Sequence, residues 1–337
     1  MRRHCRRHST SENDRVSGVG DLSFLLLSLV LLVEPALGVS TTAGDFLVSN
    51  YSSNSIIVHD GQTGDPLGTL VSGINGVDGM AFLAGGDLAA VSSSDRKVYR
   101  IDPASGVNEG SLYQGTLSNP RKVLQTPNGT IWITQNSGSY QTIGVNPATG
   151  QQTAAIGGFN SGYLPVNLAY GNGILYAAVE YTGGTYTSIQ QYDPSTGASL
   201  GQLGGILPMD TEGMLIAPDG SIILAAWTNL SQPMLVRMDS NTGAILTEAS
   251  GYAANALALN SDGNLLAMQG SLYHYSLTEV NPSTLQAGAV INSDFNYYSY
   301  GIMEDMVVAP VPEPVTIVAV LMGLAGLGKY IRRRRTE

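Results

Sequence analysis

Residues 39–310 predict an all-β fold, a six-bladed propeller of four-stranded antiparallel blades, and three observations carry that prediction. Gly, Ser, Thr, Asn and Tyr abound there, and no stretch keeps a 3.6-residue apolar period for long, which argues against a helical body. One short phrase recurs six times: VHDGQTG (58–64), RIDPASG (100–106), GVNPATG (144–150), QYDPSTG (191–197), RMDSNTG (237–243) and EVNPSTL (279–285). Between its copies runs a second phrase: LAGGDLAAVS (83–92), TPNGTIWITQ (126–135), YGNGILYAAV (170–179), APDGSIILAA (217–226) and LNSDGNLLAM (259–268).

Each phrase has a local cause. In the first, the Asp or Asn side chain bonds its own backbone two residues on, Pro presets the next φ, and Gly takes the left-handed position that closes a hairpin. The sixth copy has Leu285 where Gly is expected, which predicts a different turn there. In the second phrase a Gly-containing tight turn joins two aliphatic strands. The steps from Asp60 to Asp102, Asn146, Asp193, Asp239 and Asn281 are 42, 44, 47, 46 and 42 residues, room for four antiparallel strands, the content of one propeller blade. The first period opens directly at a second-strand position, Gly44-Asp45-Phe46-Leu47-Val48. Its missing inner strand is expected from MEDMVV (303–308), which matches VDGMAF (77–82) and TEGMLI (211–216). Pairing these two ends closes the ring and removes an open sheet edge. The pattern resembles the YVTN, NHL and gluconolactonase-like propellers, a resemblance of fold that by itself carries no activity.

Charge narrows the partners. Residues 39–310 hold six Lys and Arg against twenty Asp and Glu, a net charge of −14, so nucleic acid is excluded as a partner and a cation, a neutral glycan or a basic partner stays open. The one cysteine, Cys5, precedes this region, which therefore has no thiol chemistry and no zinc–thiolate site.

Both ends predict export. Residues 1–21 carry five arginines, LSFLLLSLVLLV (22–33) is a short apolar core, and Ala36-Leu37-Gly38 offers small residues to a signal peptidase. Twelve apolar residues are too few to span a bilayer comfortably. At the other end, VPEP (311–314) precedes an apolar run over 315–331, just long enough to span, and then Arg332, Arg333, Arg334 and Arg335, which hold that end in the cytoplasm. Val311, Pro312, Glu313 and Pro314, the hydrophobic stretch and the basic terminus together resemble the PEP-CTERM sorting signal of Gram-negative bacteria. That resemblance covers only the last 27 residues. It implies processing by an exosortase-type membrane protease, a membrane-anchored precursor, and delivery to the cell envelope, cell surface or an exopolysaccharide or biofilm matrix.

A site is expected at the starts of the inner strands, on the face opposite the recurring turns. Aligning the blades on the Gly turn brings Asp78, Arg121, Pro165, Glu212, Asn255 and Glu304 to one level of the channel mouth, with Asp305 beside the last. Asp78, Glu212, Asn255, Glu304 and Asp305 are oxygen ligands of the kind Ca²⁺ takes, and gluconolactonase-like propellers, which this chain resembles, hold a divalent cation there. A solvated polar mouth without an ion is the alternative, and Arg121 in the ring favours it. Two loops entering that face, GFNSGY (158–163) and DFNYYSY (294–300), offer Asn160, Tyr163, Asn296, Tyr297, Tyr298 and Tyr300 for stacking on a sugar and bonding its hydroxyls, or for packing blade seams. His59 and His274 have no triad context, and there is no phosphate loop or nucleophile elbow, so no catalytic residue is assigned. Trp132 and Trp227 are expected to fill space between blades. The sequence thus points to an exported binding or structural module, with a metal-dependent lactonase-like hydrolase as the alternative.

Overall fold

The computed structural model describes residues 39–138, 140–157, 162–183, 185–228, 231–271, 274–296 and 303–310. Residues 1–38, expected to be a leader, and residues 311–337, with the VPEP motif, the apolar run and the Arg cluster, lie outside them. Among the described residues no helix is long and apolar enough to cross a membrane.

Among the described residues twenty-four strands form six four-stranded antiparallel sheets. The first blade holds β1 (Phe46–Asn50), β2 (Ser55–His59) and β3 (Pro66–Ser72), the second β4 (Val77–Phe82), β5 (Leu88–Ser92), β6 (Lys97–Ile101) and β7 (Asn108–Ser111). The third holds β8 (Pro120–Gln125), β9 (Ile131–Gln135), β10 (Gln141–Asn146) and β11 (Gln151–Ile156), the fourth β12 (Tyr163–Gly171), β13 (Ile174–Tyr181), β14 (Tyr186–Tyr192) and β15 (Ser199–Leu207). The fifth holds β16 (Met209–Ile216), β17 (Ile222–Thr228), β18 (Pro233–Met238) and β19 (Ile245–Ser250), the sixth β20 (Ala254–Leu259), β21 (Leu265–Ser271), β22 (His274–Val280) and β23 (Ala287–Asn296). β24 (Met303–Val308) is the inner strand of the first blade, in the order β24-β1-β2-β3. Phe46 faces Val308, Leu47 faces Val307 and Val48 faces Met306, so the ring closes as the sequence predicts.

The strands read as they do because of where they lie. β1, β5 and β9 are buried along their whole length, with neighbouring blades on both faces, so each opens with a run of three or four apolar residues, without alternation, and turns polar only at its end. Outer strands such as β19 are largely exposed. The core is six apolar clusters, one per seam; in the closing seam Phe46 and Val48 pack with Leu266, Met268, Leu277 and Met306. Trp132, fully buried, reaches across a seam to donate Nε1–H to the Pro194 carbonyl at 3.2 Å. Trp227 is only half-buried, near the open end of β17, and does not fill a seam as expected.

The recurring turns behave as their chemistry demands. The N–H groups of Gln62, Ala104, Ala148, Ser195, Asn241 and Ser283 donate to the side-chain oxygens of Asp60, Asp102, Asn146, Asp193, Asp239 and Asn281 at 2.8–3.0 Å. The expected departure at Leu285 is not found. Its φ is +56°, and its N–H donates to the Asn281 carbonyl at 2.8 Å, as the glycines do in the other copies. Leu285 tolerates the left-handed conformation because its side chain, 1% exposed, is buried in the seam with Leu265 and Val280.

Candidate functional site at the channel mouth

The six inner strands β24, β4, β8, β12, β16 and β20 surround the axis. Every one of them carries a register shift against its second strand, all at the same level: 77/79, 120/123, 165/167, 211/213 and 254/256, and 303/306 against β1. A bulge leaves one residue unpaired and re-aims its side chain. Those residues are Asp78, Arg121 with Lys122, Val166, Glu212, Asn255, and Glu304 with Asp305. In five blades this is the position that the sequence alignment selects. In the fourth it is off by one, because Pro165 pairs with Val179 and Val166 is the bulged residue.

Second strands hold the bulges open by bonding the backbone. Ser49 Oγ accepts from Asp305 N–H at 2.8 Å, Thr134 Oγ1 from Lys122 N–H at 2.9 Å, and Glu180 Oε1 from Thr211 N–H at 2.6 Å. Below this level runs a channel of about 360 Å³, lined by Met80, Val123, Leu168, Met214, Leu257 and Met306 among others. At its upper rim Lys122 Nζ lies 3.2 Å from Asp305 Oδ1, whose other oxygen accepts from Met80 N–H at 2.7 Å.

Beside it opens a polar cavity of about 180 Å³, walled by Asp78, Arg121, Lys122, Glu180 and Glu212, with the amides Asn136 and Asn167. Asp78 is 2% exposed, and both of its carboxylate oxygens are sealed from solvent. Its nearest ion partner is Arg121 Nη1, 3.7 Å from Oδ1. Burial pushes the Asp78 carboxyl above its ordinary range, with the Arg121 charge, the Ser93 hydroxyl and Lys122 opposing. Glu180 is pushed up to about 7, first by burial and then by Asp210 and Glu212, while the Thr211 N–H and Arg121 act the other way. Carboxylates so perturbed inside a cleft make this mouth the candidate site.

The structure therefore brings Asp78, Arg121 and Glu212 into one cavity and sets Asp305 at the adjoining channel rim. Asn255 sits at its bulge but lines neither cavity. The side chains of Glu304 and Asn296, and the whole of Asn160, Tyr297, Tyr298 and Tyr300, lie outside the described residues. Tyr163, on β12 of blade four, is 43% exposed, its ring 5.2 Å from that of Tyr181. Among the described residues no three acidic or imidazole groups converge as metal ligands, and Arg121 and Lys122 stand among the carboxylates. His59 is a packing residue, buried and stacked 5.0 Å from Phe46 at 9°.

Sequence reading missed Glu180 and Lys122. Glu180 had a signal, a lone carboxylate in the otherwise uncharged ILYAAVEY of β13. Lys122 had none beyond adjacency to Arg121.

No family model and no curated protein matches the chain. Solved structures match its fold. Hydrazine synthase from Kuenenia stuttgartiensis superposes with a TM-score of 0.55 at 13% identity, over 73% of this chain and 79% of that one. Virginiamycin B lyase from Staphylococcus aureus gives 0.54 at 15%, over 75% and 83%. A protein of unknown function from Bacteroides caccae gives 0.55 at 13%, over 79% and 98%. At such identities the likeness is one of fold alone.

Proposed function

We propose that this β-propeller is an exported binding module, delivered by its C-terminal sorting signal to the cell envelope or the surrounding matrix, that takes a glycan unit at the mouth of its channel. One observation carries the reading: the bulged level of the channel mouth builds a polar cavity of about 180 Å³, walled by Asp78, Arg121, Glu180 and Glu212 with the amides Asn136 and Asn167 beside them. Sugar hydroxyls donate to carboxylates and amide oxygens and accept from amides and guanidinium groups, which suits such a lining.

The test is calorimetric titration of the purified full chain with neutral and charged oligosaccharides. Binding that Glu212→Ala weakens at least tenfold supports the reading; binding indifferent to that change removes the cavity from it. Delivery is tested separately by mass spectrometry of protein from cells and medium, where an intact C-terminus bearing all four arginines contradicts processing.

A second reading rests on Glu180. A carboxyl held at about 7 is poised to act as a general base near neutral pH, which suits hydrolysis of a lactone or ester at the same mouth. Glu180→Gln abolishing such hydrolysis while sparing ligand affinity selects this reading over simple binding.

A further inference from the structure

We propose that the extended end of blade four is a saccharide site of its own, in which Tyr163, Tyr181 and Tyr186 hold a neutral pyranose unit by stacking on its C–H faces and bonding its hydroxyls. The site goes beyond the channel-mouth reading and stands or falls apart from it.

Strand length creates it. In blades two, three and six the pairing of first and second strands stops at the bulge, with Val77 opposite Ser92, Pro120 opposite Gln135 and Ala254 opposite Gln269. In blade four it runs two residues further, Leu164 facing Glu180 and Tyr163 facing Tyr181. Successive residues of a strand point to opposite faces, so this extension serves two sites. Leu164 and Glu180 line the polar cavity, whereas Tyr181 shares its face of β13 with Leu175, Ala177 and Val179. Lower on that face the aliphatic residues are covered by Trp132 and Ile156 of blade three. Blade three's strands end sooner, and the tyrosines stand beyond them.

Tyr186 lies directly opposite Tyr181 on the next strand, so three rings stand in a row over two strand spacings, about 10 Å. They are 43%, 42% and 46% exposed, and with Val179, Ser188 and Ile206 they line a concavity of about 370 Å³, within the range of small-ligand pockets, roughly 300–1,000 Å³. Apolar area left in water around such a concavity is area a ligand can cover. The backbone sets one ring in place. Tyr181 lies across Gly183, where a Cβ would come within 2.5 Å of the ring, and Thr182 N–H, donating to the Gly162 carbonyl at 2.8 Å, pins the hairpin that carries it. A ring already fixed loses little freedom when a ligand stacks on it.

The lining selects the ligand. Every described residue around the concavity is uncharged, in a body whose net charge over residues 39–310 is −14. A charged ligand would give up hydration there without a counter-charge. A purely apolar one would cover the phenol and Ser188 hydroxyls and leave them unpaired. A neutral sugar meets both conditions, with C–H faces for the rings and hydroxyls that donate to and accept from theirs.

Titration of the purified full chain with neutral glucose, mannose and galactose tetrasaccharides tests this. At least one is expected to bind, and to bind Tyr181→Ala and Tyr186→Ala about tenfold more weakly. Tyr181→Phe, which keeps the ring, should stay within about threefold of wild type, and Glu212→Ala, which alters only the mouth, should leave this binding as it is. Gly183→Ala keeps all three tyrosines but displaces one ring, and should weaken binding at an unchanged melting temperature. Binding that the tyrosine substitutions spare and Glu212→Ala removes overturns the inference and leaves the channel mouth as the saccharide site. Absence of binding by all three sugars overturns it too. A wild-type dimer that Tyr181→Ala converts to monomer assigns the rings to a contact between copies and also overturns it.

Discussion

Replacing Glu180 by Gln should make the protein more stable at neutral pH while weakening its site. In the folded chain Glu180 ionises at about 7, against an ordinary 4.5. A shift of about 2.5 units at about 1.4 kcal/mol each amounts to about 3 kcal/mol. The sign follows from the direction. A carboxyl whose folded value is raised binds its proton more tightly in the native state, so stability is greatest below pH 4.5 and is lost as pH rises through about 7. Glutamine carries no charge at any of these pH values, and its carbonyl can still accept the Thr211 N–H that now reaches Glu180 at 2.6 Å. The variant should match wild type near pH 4 and exceed it by up to about 3 kcal/mol at pH 8, an upper figure because water relaxes buried charges. Urea denaturation at the two pH values measures this difference. A variant destabilised equally at both would mean that Glu180 is an ordinary solvated acid, and the cavity would lose its electrostatic basis.

Three further outcomes follow from the fold. Leu285→Gly should be less damaging than Leu285→Ala by about 1 kcal/mol, the reverse of the usual order, because both lose the buried side chain and only Ala keeps the strain of a φ of +56°. Thermal melts should separate them by about 2–4 °C, and an Ala variant that outlasts the Gly variant would refute the left-handed turn. Removing everything from residue 303 onward should expose the β1 edge and the apolar seam of Phe46 and Val48, giving oligomers or aggregates on size-exclusion chromatography; a well-behaved monomer would contradict closure. Asp239→Ala should lower the melting temperature and Asp239→Asn should not, since Asn146 and Asn281 accept the same backbone hydrogen bonds in sister turns.

The blades were legible because each depends on short-range chemistry. An Asp or Asn that bonds its own turn, followed by a residue able to reach positive φ, announces itself once per period, and even Leu285 obeys, since burial holds it where glycine would go freely. Closure was legible for the same reason, MEDMVV having the pattern of the other inner strands. The site was half legible. Aligning blades found the bulged level at Asp78, Arg121 and Glu212, but bulges shift register by single residues, so Pro165 stood in for Val166. Glu180 was hidden because its part in the site comes from a neighbouring blade, the Thr211 backbone and the charges of Asp210 and Glu212, which no local pattern announces.

The most direct test of the account is a crystal structure of the chain soaked with an oligosaccharide that it binds. The account expects density in the polar cavity, with sugar hydroxyls within about 3 Å of the polar side chains that line it, Glu180 and Glu212 among them. A well-ordered oligosaccharide held at Tyr163 and Tyr181 alone, with the polar cavity filled only by water, would contradict it.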